Sequence, residues 1–358
     1  MMRGRWWQVA CLVVALLALA GCGARQGASA SSGSAPPGPA GSRAEAGTTS
    51  QSGQPITVRL GHNRTWSNPA LIIGLAQDRF KQAGVDVSEQ EFTNPADIVQ
   101  AIATGDLDAG ATPGPTLFTA VEKGVKAKAV ALLQGNNNPP VAFTVRTDSG
   151  INSVADLRGK KIGVNNYGGN YDIYLRYWLA KYGLDPKTDV EILVVPVPSI
   201  LPSLVNRQID LGPLASLDSA KAKQQYGNTL ETLFTYDDVL KDGTGRTDNN
   251  GLVLAFGDAF VQRNHEGAVR FLTGYLAAVR AMNADPKKAL NDWANAVGND
   301  SLRTLSAPPT IPDDGKVYTD ALQFDADQGL RFGYLDHPID VRTVIDNSLI
   351  DEAAARLQ

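Results

Sequence analysis

Cysteine is almost absent from this 358-residue chain: Cys11 and Cys22 are the only two, and both lie near its start. They cannot form a metal-binding spacing, and beyond Cys22 the sequence offers neither a disulfide partner nor a cysteine nucleophile. Histidine is nearly as scarce. His62, His265 and His337 fit no His–Glu metal spacing and no Ser–His–Asp set, and no Gly-rich phosphate loop accompanies them. An excess of one charge is missing too. A formal net charge of −4 with 20% charged residues gives no basic surplus for nucleic acid and no acidic block. No cofactor is expected. The apolar stretch from Val9 to Ala20 also falls short of the roughly 20 residues a spanning helix needs.

That stretch has another reading. Arg3 and Arg5 precede it and Leu19-Ala20-Gly21-Cys22 closes it, the order of a secretory signal. The ending resembles the lipobox of bacterial lipoproteins, which implies that residues 1–21 are removed and that the Cys22 thiol is acylated. Acyl chains would then hold the protein on a lipid bilayer at the extracytoplasmic face of the cell membrane. Residues 22–54 are mostly Gly, Ala, Ser, Pro, Thr and Gln, too poor in apolar groups to offset the entropy of ordering, so they read as a flexible linker.

From Pro55 the chain alternates short apolar runs with helical patterns, as in an α/β fold. Strands are expected at Ile56–Leu60, Val85–Val87, Leu107–Ala111 and Lys126–Leu133. Asn68-Pro69 and Asn94-Pro95 open helices, with Asn as cap and Pro in the first turn. Gln134–Pro140 breaks the pattern and reads as a crossing into a second lobe with strands at Val141–Arg146, Lys161–Val164, Glu191–Val195 and Ile209–Leu211. Lys241–Gly251, polar and Gly-rich, reads as the return, followed by a strand at Leu252–Phe256. Residues 55–138 and 250–358 thus form one lobe with a helical C-terminal region, and residues 139–249 the other. In that helical region Val269, Leu272, Leu276 and Val279 share a core-facing stripe.

Several stretches then take on a family likeness. They are Gly74–Val87 with Ala103–Gly110, Ser153–Val164, Leu204–Gly212 and the C-terminal Gly333–Val341. Together, in this order, they resemble the substrate-binding proteins of sulfonate, nitrate and taurine type ABC importers, a branch that includes thiamine-pyrimidine binders. The likeness implies a periplasmic-binding-protein-like fold of type II, two α/β lobes on a two-segment hinge closing over a small-molecule solute. It also implies an ABC permease as partner, a monomer, and no catalysis.

Candidate site residues follow from topology, since ligands in open α/β sheets bind beyond the carboxyl ends of strands, where helix N-termini converge. His62, Asn63, Trp66 and Ser67 form the first such loop. Trp66 is placed either to stack on a solute or to pack on its own lobe. Asn94, besides its capping role, ends the second loop, Phe92–Asn94, and Thr112 and Pro113 begin the third. In the other lobe Gly168-Gly169-Asn170-Tyr171-Asp172 begins a helix, and its glycines would let a ligand approach free N–H donors closely; the family resemblance implies an anionic group at this position. Asn170 reads there as the cap. Asp172 would repel such a group if it faced the cleft, and would favour an amine. Leu214 and Ser216 complete the set, although Leu214-Ala215 departs from the larger polar or aromatic residues the family places there. Two other functions stay open: a cleft enzyme of the pyrimidine- or menaquinone-synthesis type, and a lipid-anchored ligand sensor.

Overall fold

The computed structural model describes residues 56–64, 68–136, 139–247 and 251–358. The expectations for residues 1–21, Cys22, the linker, Trp66 and Ser67 lie outside those residues. Two mixed sheets organise the chain. The first is built from β1 (Ile56–His62), β2 (Val85–Glu91), β3 (Ala109–Thr112) and β4 (Ala127–Gln134), with α1 (Pro69–Ala76), α2 (Arg79–Gln82), α3 (Pro95–Thr104) and α4 (Gly114–Glu122) between them. The second holds β5 (Ala142–Arg146), β6 (Lys161–Val164), α5 (Asn170–Lys181), β7 (Glu191–Val194), α6 (Val197–Val205), β8 (Leu211–Leu214), α7 (Ser216–Tyr226), β9 (Leu230–Thr235) and α8 (Tyr236–Thr244). The chain then returns to the first sheet with β10 (Leu252–Gly257). It ends in α9 (Asp258–Arg263), α10 (His265–Ala284), α11 (Pro286–Val297), α12 (Thr319–Arg331) and α13 (Ser348–Ala355).

The strand orders are β2-β1-β3-β10-β4 and β7-β6-β8-β5-β9. In the first sheet β10, Leu-Val-Leu-Ala-Phe-Gly and wholly buried, runs antiparallel between β3 and β4. In the second, β5 runs antiparallel to both β8 and β9. Each sheet therefore receives a strand immediately after a crossing, and two connections join the halves. The stripe on α10 is core, as its spacing predicts: Val269, Leu272, Leu276 and Val279 are fully buried.

The same device anchors both sheets at the end opposite the crossings. The Asp108 carboxylate accepts from Arg59 N–H (3.0 Å), while Asp108 N–H donates to Arg59 O (2.9 Å). In the second sheet Asp210 accepts from Lys161 N–H (3.0 Å) and donates to Lys161 O (2.7 Å). These aspartates explain why β3 and β8 begin later than expected, at Ala109 and Leu211. The residues before them are spent on carboxylate-to-backbone bonds rather than on the ladder.

Three further expectations are corrected. Lys241–Gly251 is not all crossing, because α8 runs on to Thr244. Its start was signalled by a capping box: Asp238 N–H donates to Thr235 Oγ1 (3.2 Å) and Thr235 N–H to Asp238 Oδ2 (2.8 Å). The strand β9 was not anticipated. The cap at Asn94 is present, its Oδ1 accepting from Ala96 N–H (3.0 Å), but Asn68 makes no cap bond and both its side-chain polar atoms are buried without a partner.

α12 is a bridge. Leu322 belongs to the apolar core of the first sheet and Phe324 to that of the second. A side chain at Gly243 of α8 would collide with the Phe324 ring, and one at Gly114 of α4 with Leu322.

Candidate functional site

Between the two sheets lies a cleft of about 510 Å³ of empty space, a figure that includes space open to solvent. From the first half it is lined by Pro95 and Pro113 at the starts of α3 and α4, and by Gln134 and Leu252 at the crossing ends of β4 and β10. From the second half come Val141, Asn165, Asn170, Tyr171, Val197, Ala215 and Tyr236. Nearly all stand at a strand's end or in the first turn of a helix, because a strand-to-helix passage leaves backbone groups and small side chains facing the gap. Among the described lining residues there is no lysine, arginine or histidine.

The walls are aromatic on one side. The Tyr171 and Tyr236 rings meet edge to face at 5.9 Å, with Tyr174 packed behind Tyr236 at 4.5 Å. The Tyr236 hydroxyl is buried without a partner, and burial raises its pKa well above the ordinary tyrosine value. Two carboxyls sit close behind this wall. Burial pushes Asp218 up to about 6, tempered by Lys221 on the same helix, and Tyr171 is raised by its own burial and then by the Asp218 charge. Asp325 on α12 is fully buried and accepts from Asn170 Nδ2 at 2.9 Å. Burial pushes it up to about 7, against the donation from Asn170, while Asp325 Oδ1 and the nearby Tyr174 hydroxyl are both buried without a partner.

The expected site residues divide. Pro113, Asn170 and Tyr171 line the cleft. Asn170 is not the helix cap, since Gly169 occupies that position in extended conformation (φ −86°); the Asn170 amide is instead turned to Asp325. Gly168 and Asp172 are turned inward and engage each other. Gly168 N–H donates to Asp172 Oδ2 (2.9 Å) and Arg176 Nε to Asp172 Oδ1 (2.8 Å). At Gly168 the N–H is therefore taken, and a side chain there would meet the Tyr334 ring. Gly168, Asn94, Thr116 and Asn166 line an adjoining depression instead. Thr112 is fully buried and donates its hydroxyl to Pro113 O (3.3 Å). His62 Nε2 lies 2.9 Å from Glu89 Oε2, its pKa lowered chiefly by burial, and Asn63 Nδ2 donates to Phe92 O (2.5 Å). Neither lines the cleft. Leu214 and Ser216 are buried on either side of Ala215, which does.

Several lining residues were missed by sequence reasoning. Tyr236 carried a signal, because the unread capping box of α8 puts it at the first position of a helix that follows a strand. Gln134, Val141 and Leu252 sit on the crossings themselves, and Pro95 and Val197 open helices whose starts carry prolines. No local pattern marks any of these as facing the other half.

Residues 69–289 match the family profile described as NMT1/THI5 like. A protein of Brucella abortus (strain 2308), provisionally named a binding protein, is 27% identical over 303 residues, covering 80% of this chain and 88% of that one. The 4-amino-5-hydroxymethyl-2-methylpyrimidine phosphate synthase of Schizosaccharomyces pombe is 31% identical over 145 residues, 40% of each chain. Among solved structures, the alkanesulfonate-binding protein SsuA of Xanthomonas axonopodis pv. citri superposes with a TM-score of 0.67 at 17% identity, covering 82% of this chain and 99% of that one. The periplasmic nitrate-binding protein NrtA of Synechocystis does so with a TM-score of 0.71 at 16% identity, covering 85% and 89%. The two-sheet α/β architecture is thus that of periplasmic substrate-binding proteins, and with its profile matched across both sheets the chain belongs to the NMT1/THI5-like family.

Proposed function

We propose that this protein is a solute-binding lipoprotein of an ABC importer, held by acylated Cys22 at the extracytoplasmic face of the cell membrane. It captures a small polar or anionic organic solute, of sulfonate, taurine, nitrate or pyrimidine-like type, and presents it as a monomer to a membrane permease. The observation that carries this reading is the cleft. Helix starts from both sheets converge on it, and two crossings connect the halves, the arrangement of a clamp that closes by hinge motion. The fold shared with proteins named for alkanesulfonate and nitrate binding supports it, and so does the lipobox-like Leu19-Ala20-Gly21-Cys22. No helix among the described residues is long and apolar enough to cross a membrane, so attachment would rest on the acyl chains.

A thermal-shift screen of the purified protein against alkanesulfonates, taurine, nitrate and pyrimidines tests the reading. A ligand that binds only the folded state at about 100 times its Kd adds about 2.7 kcal/mol of apparent stability. A flat response across the panel, with turnover of a pyrimidine substrate, would move the protein to the enzyme reading that its likeness to the fission-yeast synthase favours.

A further inference from the structure

Asn170 lines the cleft, and the two polar atoms of its side chain are in different situations. Its Nδ2 donates to Asp325 Oδ2 at 2.9 Å, both residues being buried, whereas its Oδ1 is buried without any partner. An ionised carboxylate can only accept, so Asp325 dictates which way round the amide sits. We propose that Asp325 sets the hydrogen-bond polarity of the cleft: by taking Asn170 Nδ2 it leaves Asn170 Oδ1 as the acceptor a solute meets, so that the site selects a neutral or cationic N–H donor over an oxyanion. This rests on the cleft being the solute site.

The surroundings favour the same choice. Asp218 is buried behind Tyr171, and no cationic side chain appears among the described lining residues. Beside α5 the Gly168 N–H is already taken by Asp172. An orphaned buried acceptor is costly until a donor reaches it, and the Tyr171 and Tyr236 rings offer a flat donor an aromatic wall. An oxyanion would bring acceptors to an acceptor.

The arrangement is reversible by one proton. Protonated Asp325 can donate to Asn170 Oδ1, and the amide can then turn its Nδ2 to the solute. Burial places that titration near neutrality. The groups facing Asp325 are the Tyr174 hydroxyl of α5 and Tyr236 of α8, both held neutral by burial. On the elements packed around α12, Asp172 is engaged with Arg176, Asp242 with Lys181 and Tyr177, Glu122 with the N–H groups of Asp336 and His337, and Arg342 with Asp340, while Asp237 of α8 keeps one buried carboxylate oxygen unpartnered and is raised by burial and by Asp238.

The test uses benzamidinium and acetamidinium, whose charge is constant near neutrality, against methanesulfonate and nitrate, by calorimetry and thermal shift from pH 6 to pH 8. In the wild-type protein the amidinium probes bind and the oxyanions do not. Benzamidinium affinity rises about tenfold over that range as the fraction of ionised Asp325 rises. Asp325→Asn keeps an acceptor for Asn170 Nδ2 but cannot titrate. It binds benzamidinium with most of that slope gone, the remainder belonging to Asp218, and melts no lower than the wild type. Asn170→Ala folds and loses the probe. An unchanged slope in Asp325→Asn overturns the proposal. So does binding of methanesulfonate or nitrate in preference to the amidinium ions, which would leave solute binding itself intact. Silence from both classes also overturns it, and the wider solute panel then decides whether the cleft takes solutes at all.

Discussion

Tyr236→Phe removes one oxygen from the wall of the cleft and leaves the ring in place, packed on Tyr174 at 4.5 Å, Tyr171 at 5.9 Å and Phe143 at 6.1 Å. In the empty protein that hydroxyl is buried and makes no hydrogen bond. A buried polar group left unpaired costs about 1–3 kcal/mol. Its removal should therefore stabilise the empty protein by on the order of 1 kcal/mol, roughly 2 °C in Tm for a domain this large. If the hydroxyl is reserved for the solute, the same change should weaken binding by about 0.5–1.5 kcal/mol, the usual net worth of a neutral hydrogen bond, which is roughly a two- to tenfold loss of affinity. Scanning calorimetry of the empty variant and titration calorimetry with the solute found by screening measure the two effects. Opposite signs are the signature of a group kept for binding at the expense of stability. A lower Tm would show that the hydroxyl is satisfied in the empty state, and unchanged affinity would remove Tyr236 from the site.

Cys22→Ala should abolish processing before residue 22 and remove the lipid mass from the N-terminal peptide, as read by mass spectrometry; an unacylated wild-type peptide would refute the anchor. Arg176→Met strips the buried Asp172 carboxylate of its ion pair, leaving it only the Gly168 N–H. Urea denaturation should show a loss of about 3–5 kcal/mol, because an unpaired buried charge is costly. Asp325 contributes a pH dependence of known sign. Its folded pKa of about 7 lies above the ordinary 3.8, so the native state holds its proton longer than the unfolded one. Its contribution to stability is full below about pH 4 and declines as pH rises towards 7. Urea midpoints across that window should show this decline reduced in Asp325→Asn, and an identical slope in both proteins would refute the assignment.

The strands were legible wherever a β-branched or apolar run met a glycine or proline boundary, as at Ile56, Lys161 and Leu252. The strand β9, Leu-Glu-Thr-Leu-Phe-Thr, escaped notice because only Phe234 is fully buried along it; an edge strand with polar residues on its outer face carries a weak signal. The candidate site was legible in kind but not in detail. Strand-end loops did supply Pro113, Asn170 and Tyr171, since topology alone sends those loops to the gap. Local spacing could not say that Asp172 folds back onto Gly168, nor that Asn170 reaches a carboxylate 155 residues away. Such partners are fixed by how the halves pack, and the residues of the crossings, Gln134, Val141 and Leu252, become walls only because the halves meet there.

The helix that seats Leu322 in one core and Phe324 in the other gives the molecule an attachment that a pair of linkers alone would lack. Parting the halves must either draw Phe324 out from beside Gly243 or carry the whole C-terminal arm along with the second sheet. The first route exposes an aromatic ring to water, and the second strains the contacts of Leu322 against Gly114. Either way the motion is loaded like a sprung jaw. If release of a solute follows that parting, its cost would be set partly by side chains of α12, none of which lines the cleft itself.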